Sequence, residues 1–534
     1  MRLINTHTLE LKEFFGSDIP DKYPYAILSH TWEDEEVSLQ EFTQLPRDEL
    51  QKKKGFDKIR RTCKLALQSK IDWAWVDTCC IDKTSSAELT EAINSMYTWY
   101  AESTVCYAYL SDLESGPNEE EGSRLEKCRW FTRGWTLQEL IAPKRLGFYD
   151  KDWKFQGQKS ELYGILTNIT GISEGVLEDR AMLETVSVAC RMSWASKRET
   201  TRIEDRAYCL LGMFGVQLPL LYGEGENAFV RLQEEIIKES NDYSLLAWRA
   251  DSSLARIQKH WGVLARSPKE FSQCSDIELC GDPIHNSECA ITSKGLRVTP
   301  VPRSGLRLPD DGSYVFNLQC KRRNKAENLG VFIQQHGCDV YTRIRPDELA
   351  VTLRSIQDKT RPFFISKTIS LKQSTMLQRS LQGAINLSRA LATLHHCGAG
   401  LLKEAPGAFL PAGHWDLQRS LFLTCGIYRF PCCVRLKAGD HIFALGCLLV
   451  GGEKDRNLTV KFYTAVGVGA DFESLVYFHP NEGSDTLVIN SPGDRGPRSR
   501  LRRTKLTARV VQERVDGQQV FFVVIDTEKQ DDGW

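Results

Sequence analysis

Apolar residues recur along the first 150 positions in two alternating ways. Short continuous runs at 25–29 (YAILS), 72–76 (DWAWV), 104–110 (TVCYAYL) and 145–149 (RLGFY) read as strands buried on both faces. Between them, residues 55–70 place Ile59, Cys63, Ala66 and Leu67 on one helical face, with lysines and arginines opposite. Residues 89–101 repeat the device with Leu89, Ile93, Met96, Tyr97 and Tyr100. Strands alternating with helices at this spacing predict an α/β domain over 1–150, with a parallel sheet covered on both faces. Ligands of such sheets bind beyond the carboxyl ends of the strands. Those ends carry Ser29, His30, Thr31 and Trp32, then Asp77, Thr78, Cys79 and Cys80, then Ser111 and Asp112, so polar chemistry converges on one rim.

From 151 to about 250 the pattern predicts a helical segment. Met182, Val186, Cys190 and Trp194 share one face, and Phe229, Leu232 and Ile236 another. Gly212, Gly215, Pro219, Gly223 and Gly225 interrupt the stretch between them, but no Lys-Ser or Lys-Thr follows at the offset a phosphate loop needs. Beyond 251 the runs become β-like: 290–292, 296–298, 314–318, 331–334, 363–366, 458–464, 474–478 and 520–525. Turn residues separate them without a fixed period, which predicts a β-rich region, sandwich or barrel-like, over 251–534. Residues 371–411 read as an insertion. Residues 495–509, with Arg495, Arg498, Arg500, Arg502, Arg503, Lys505 and Arg509, read as a solvated basic loop.

Composition narrows the partners. Across 534 residues, 69 lysines and arginines nearly balance 70 aspartates and glutamates, so no global field favours nucleic acid or a membrane surface. No apolar stretch approaches a membrane span, and the longest, 441–450, suits a buried strand. The N-terminus lacks the pattern of a signal peptide. Seventeen cysteines without a C-x-x-C pair favour reduced thiols and a cytoplasmic setting. Cys274, Cys280, His285 and Cys289 are spaced like no usual zinc knuckle, and no metal is predicted.

Chemistry is densest at 133–140, RGWTLQEL, which packs Arg133, Gly134, Trp135, Thr136 and Glu139 ahead of an apolar turn. Thr136 and Glu139 have capping-box spacing, and Pro143 ends the helix, so a short helix from 135 or 136 to about 142 is predicted. Glu139 either caps that helix or does chemistry. His30 beside Ser29 suits acid-base work. Asp77 and Asp82 flank Cys79 and Cys80, and two carboxylates oppose the thiolate a nucleophile needs; the aspartates suit hydrogen bonds to Arg133 or to loop amides.

Three stretches together, AILSHTW (26–32), WVDTCCIDK (75–83) and RGWTLQEL, resemble the fungal heterokaryon incompatibility (HET) domain, and residues 202–236 are similar to the segment that follows it in many such proteins. Members of that family act in non-self recognition and trigger programmed cell death. Large members continue into a nucleotide-binding module and WD repeats; this chain shows neither a phosphate loop nor a repeat period. HET domains are in turn distantly similar to TIR domains, which are flavodoxin-like folds, some of which cleave NAD. Trp135 to Glu139 keeps the TIR Trp-x-x-x-Glu spacing, with Thr136 where a cysteine would stand.

The resemblance implies Glu139 as catalytic residue, with NAD as substrate and no cofactor. Ser29, His30, Trp32, Asp77, Arg133 and Trp135 would line the substrate site. Trp32 or Trp135 would stack on a ring, and Arg133 would pair with the pyrophosphate. The alternative is a non-enzymatic module that assembles through the rim, by self-association or with another incompatibility protein. An open cleft at Glu139 and Trp135 suits the first reading, and a buried, satisfied carboxyl the second.

Overall fold

The computed structural model describes residues 1–16, 19–114, 121–281, 288–299, 306–307, 313–337, 339–352, 362–377, 383–402, 408–411, 414–417, 419–424, 429–439, 441–451, 456–464, 483–491, 502–515 and 518–530. His285, the run 474–478, and Arg495, Arg498 and Arg500 lie outside the described residues. The chain divides into two units, residues 1–250 with 264–286 and 318–329, and residues 251–263, 287–317 and 330–534.

Seven strands form one sheet in the first unit, in the order β2-β1-β4-β3-β5-β6-β7: β1 (Arg2–Asn5), β2 (Leu11–Glu13), β3 (Tyr25–His30), β4 (Trp73–Trp75), β5 (Val105–Tyr109), β6 (Leu146–Tyr149) and β7 (Phe155–Gln158). The central four, β4-β3-β5-β6, are parallel. Antiparallel strands flank them at both edges. In chain order the parallel core runs 2-1-3-4, a doubly wound arrangement whose direction reverses between β3 and β5. A crevice opens there at the carboxyl ends of such strands.

Three helices connect the core: α1 (Lys54–Gln68), α2 (Ser86–Glu102) and α3 (Thr136–Ile141). Because side chains alternate across a strand, Ala26, Val105 and Tyr107 pack with Ala66 of α1 on one face. The other face meets α2 and α3, and the Tyr100 hydroxyl donates to the Leu28 carbonyl at 2.9 Å. Every residue of β3 is buried, as a continuous apolar run requires.

The segment after β6 differs from its sequence reading in two places. The antiparallel strand β7 precedes the helices, and the face through Met182, Val186, Cys190 and Trp194 is broken. Arg180–Thr185 is a 3-10 turn, Ser187 is extended, and its hydroxyl accepts the Cys190 amide at 3.2 Å to start a new helix, Val188–Ser193. Met182 is left 44% exposed. Further on, the glycines at 223 and 225 (φ +104° and +62°) aim their amides at the buried Glu204 carboxylate, at 2.8 and 3.0 Å. That loop cradles an anion, and the anion belongs to the chain.

The second unit is β-rich. Gly295–Val298 pairs antiparallel with both Cys289–Thr292 and Phe363–Ile365, and Phe363–Ile365 runs parallel to Val340–Arg343. Arg429–Ala438, His441–Val450 and Asn457–Thr464 form an antiparallel meander. A long hairpin joins Arg502–Val515 to Gln518–Gln530. Leu394, Phe443, Leu445, Phe462, Phe521 and Val523 share one core. The stretch 371–411 includes the helices Leu371–Leu377 and Ser388–His396. Residues 502–509, read as loop, are strand: Thr504 and Leu506 are buried, while Arg509 pairs with Asp526 at 2.7 Å and Lys505 with Glu528 at 3.7 Å. Cross-strand acids thus pair with two of the basic residues, Lys505 and Arg509.

Two buried histidines make this unit acid-sensitive. The His260 and His336 rings meet edge to face at 4.4 Å, and the Thr342 hydroxyl lies 2.9 Å from His336 Nε2 and 3.2 Å from His260 Nδ1. Burial, together with Lys259 and Arg419, holds His260 down at about 4. The unfolded chain therefore takes up a proton near pH 6.5 that the folded unit refuses, so this contribution is complete above 6.5 and lost as pH falls towards 4. Thermal melts at pH 5 are expected to show a loss of about 2 kcal/mol from His260, and His260→Gln should flatten that dependence.

Candidate functional site

At the carboxyl ends of β3 and β5, where the strand order reverses, lies a hydrogen-bonded chain. Ser29, near the end of β3, donates its hydroxyl to Glu139 Oε2 on α3, and the Trp130 indole donates to Ser29 Oγ at 2.8 Å. Glu139 is 6% exposed. Burial pushes its carboxyl up to about 8, against the hydrogen bond from Ser29 and with help from the Asp77 charge. The group is therefore mostly a neutral acid at pH 7.

The capping box does not form. Trp135, at the cap position, already has helical backbone (φ −62°, ψ −36°), and the Leu137 amide already donates to the Gly134 carbonyl at 3.2 Å. The extended residue before this turn is Arg133 (φ −81°, ψ 141°), whose side chain has no oxygen to accept an amide, and Thr136 does not stand at the cap. The Thr136 hydroxyl donates to the Trp130 carbonyl instead, and the buried Arg198 guanidinium donates to Thr136 Oγ1 at 2.9 Å and to the Arg133 carbonyl at 2.8 Å. Glu139 thus points to Ser29 rather than to its own helix start.

Beside these bonds lies an outer cluster. Trp32 is 50% exposed, its indole donates to Asp77 Oδ2 at 2.8 Å, and Lys83 Nζ sits 3.6 Å from the ring centre. His30 is buried between two carboxylates, Nδ1 3.9 Å from Asp77 and Nε2 3.7 Å from Glu36. Lys58 Nζ reaches Glu36 at 2.5 Å, Glu33 at 3.2 Å and the Thr31 carbonyl at 3.2 Å. Burial opposes ionisation of Glu36, but His30 and Lys58 outweigh it and hold the carboxyl at about 2. Sequence reasoning missed Lys58, Glu33 and Glu36. The available signal was an acidic run after a strand end, with a lysine on the face α1 buries.

Arg133 and Trp135 turn towards the helical segment. Arg133 Nη2 donates to Thr201 at 3.1 Å, not to Asp77 or Asp82. Burial raises the Asp205 carboxyl, which accepts the Tyr222 hydroxyl at 3.0 Å, and Trp135 lies near enough to lower it. Gly134 belongs to the same junction: its amide donates to the Glu199 carbonyl at 2.9 Å, and a Cβ there would come 2.5 Å from Thr200 Cγ2. Cys79 is fully buried, and burial with its neighbours Cys80 and Asp77 raises its thiol well above the ordinary value, which removes it as a nucleophile. Cys274 faces the Ala247 carbonyl at 3.5 Å and Cys280 faces Asn328 at 3.2 Å. Among the described residues no helix is long and apolar enough to cross a membrane.

Residues 25–122 match the family model described as heterokaryon incompatibility protein (HET), and the chain carries a HET domain. Over 224 residues, 40% of its length, the chain is 45% identical to vegetative incompatibility protein HET-E-1 of Podospora anserina. The match spans 16% of that relative's length. No solved structure matches the chain significantly.

Proposed function

We propose that this chain acts in fungal vegetative incompatibility, the recognition of non-self that ends in programmed cell death, through a TIR-like HET domain working in the cytoplasm. The likeness to HET-E-1 supports the role, and the 2-1-3-4 parallel order supports the TIR-like architecture. The mode of action the geometry favours is assembly, in which the domain associates with a second copy or with another incompatibility protein through the rim at Trp32. One contrast carries this reading: Trp32 is half exposed and held in place by Asp77 and Lys83, whereas Glu139 is enclosed. An indole already fixed in position loses little freedom on docking, as an interface anchor should.

Trp32→Ala is expected to leave the melting temperature nearly unchanged, while cutting both the self-association of the full chain and its toxicity on overexpression by roughly tenfold or more. A variant as toxic and as associated as the parent would overturn the proposal.

A second reading, NAD hydrolysis, is favoured by a different observation: a carboxyl raised to about 8 lies at the strand reversal, bonded to Ser29 near the end of β3. Nicotinamide leaves without a general acid because it departs as a neutral base from a cationic pyridinium. One carboxylate holding the ribose hydroxyls and the oxocarbenium-like charge then suffices. That carboxyl must be uncovered and ionised before it reaches a ribose, so this reading ranks second.

A further inference from the structure

We infer that a cavity at the opposite edge of the sheet, between the α/β core and the helical segment, binds a small organic anion of nucleotide size. Its volume is about 760 Å³, and its lining includes Tyr97, Lys144, Lys159, Arg180, Arg191 and Phe214. It lies at the amino ends of the strands, because residues 142–144 lead into β6 and Arg180 reaches the Ala101 carbonyl at the end of α2, just before β5. It is therefore remote from the Trp32 rim and independent of either functional reading.

The charge arrangement points to an anion. Lys159 is buried, and its Nζ donates to the carbonyls of Leu140 and Pro143 at 3.3 and 2.6 Å. Arg180 donates to the carbonyls of Ala101 and Ala142 at 3.0 and 3.1 Å. Arg191 donates to the Met213 carbonyl at 3.2 Å and lies 4.8 Å from the Phe214 ring, and its Nε is buried without a partner. Carbonyls at helix ends explain why cations settle here. The charges of Asp242 and Glu184 also act on Arg191 and that of Glu102 on Arg180, whereas no acidic side chain pairs with Lys159 among the described residues.

The acids of the lining, Glu178, Asp179 and Glu184, are all exposed. Water and salt screen them more than they screen the buried Lys159, so the interior stays positive around its ammonium. The absence of a paired anion also accounts for Lys159 being pushed down by burial to about 8. Tyr97 and Phe214 supply flat apolar surface, and the volume falls within the range of small-molecule sites. Phosphate groups on an aromatic body match both features.

Fluorescence titration of the full chain with trinitrophenyl-ATP tests the site. Saturable binding, displaced by inorganic pyrophosphate, is expected. Lys144→Glu reverses an exposed charge of the lining and should weaken binding about tenfold or more without a change in melting temperature. Ala181→Trp, which obstructs the cavity and removes no charge, should abolish it. Trp32→Ala should bind like the parent. No saturable binding at millimolar probe, no displacement by pyrophosphate, or parental affinity in both Lys144→Glu and Ala181→Trp would overturn the inference.

Discussion

Glu139→Gln is expected to stabilise the first unit at pH 8.5 and to leave its stability almost unchanged at pH 4. The carboxyl titrates near 4.5 in the unfolded chain and at about 8 in the fold, where burial dominates. Between those values the folded state keeps a proton that the unfolded state has released. Stability therefore falls as pH rises from 4.5 to 8 and is level above that. Glutamine preserves the volume, and its amide oxygen still accepts the Ser29 hydroxyl, but it carries no ionisation cost. The expected gain approaches about 4 kcal/mol at pH 8.5, less any relaxation around the charge.

Calorimetric melts of both proteins from pH 4 to 9 check this, and a difference that stays constant with pH would refute the buried proton. The same variant separates the two functional readings. Nicotinamide release by concentrated protein that is present in the parent and lost in the better-folded Glu139→Gln would make Glu139 the catalyst. Equal release in both, or none in either, removes it.

Gly212→Ala is expected to destabilise the first unit by about 3 kcal/mol, at the upper end of what overpacking costs. The turn Leu211–Phe214 lies against α2 so closely that a Cβ at position 212 would fall 2.0 Å from Tyr97 Cβ and 2.5 Å from its Cγ. Tyr97 Cβ is bonded to backbone and cannot swing aside as a side-chain tip could, so the two elements must separate. Thermal unfolding of the full chain should show the first unit melting roughly 6–12 °C lower. Gly175→Ala, at a helical glycine with nothing within 4 Å of the added carbon, is the control and should be neutral or slightly stabilising. A melting temperature for Gly212→Ala equal to that of the control would show that the two elements are not packed as described.

The four parallel strands and the two long helices of the first 150 residues were legible because their signals are local, whereas the edge strands β1 and β2 and the short helix Asp77–Cys80 were not read. Continuous apolar runs at 25–29 and 104–110 became β3 and β5 within a residue at each end, and the helical spacing around Ile59 and Ile93 became α1 and α2. The run 441–450 became a strand over the same residues. Where two local codes overlapped, the sequence could not choose. Thr136 and Glu139 satisfied the spacing of a capping box, and only the helical backbone at Trp135 ruled the box out. The basic residues at 502–509 looked like a loop because their neutralising acids, Asp526 and Glu528, are strand partners 17 and 23 positions away.

The sequence by itself determined which residues form the rim's strand ends, since a period of two or 3.6 is written within a dozen positions. Tertiary structure decided what those residues do. Ser29 and Glu139 are 110 positions apart, and their bond exists because β3 and α3 meet at the strand reversal. Arg133, six positions before Glu139 in sequence, was drawn away to Thr201 of the helical segment. Whether a carboxyl is a surface charge or a buried neutral acid depends on how much water the surrounding elements exclude, and no local pattern encodes that quantity.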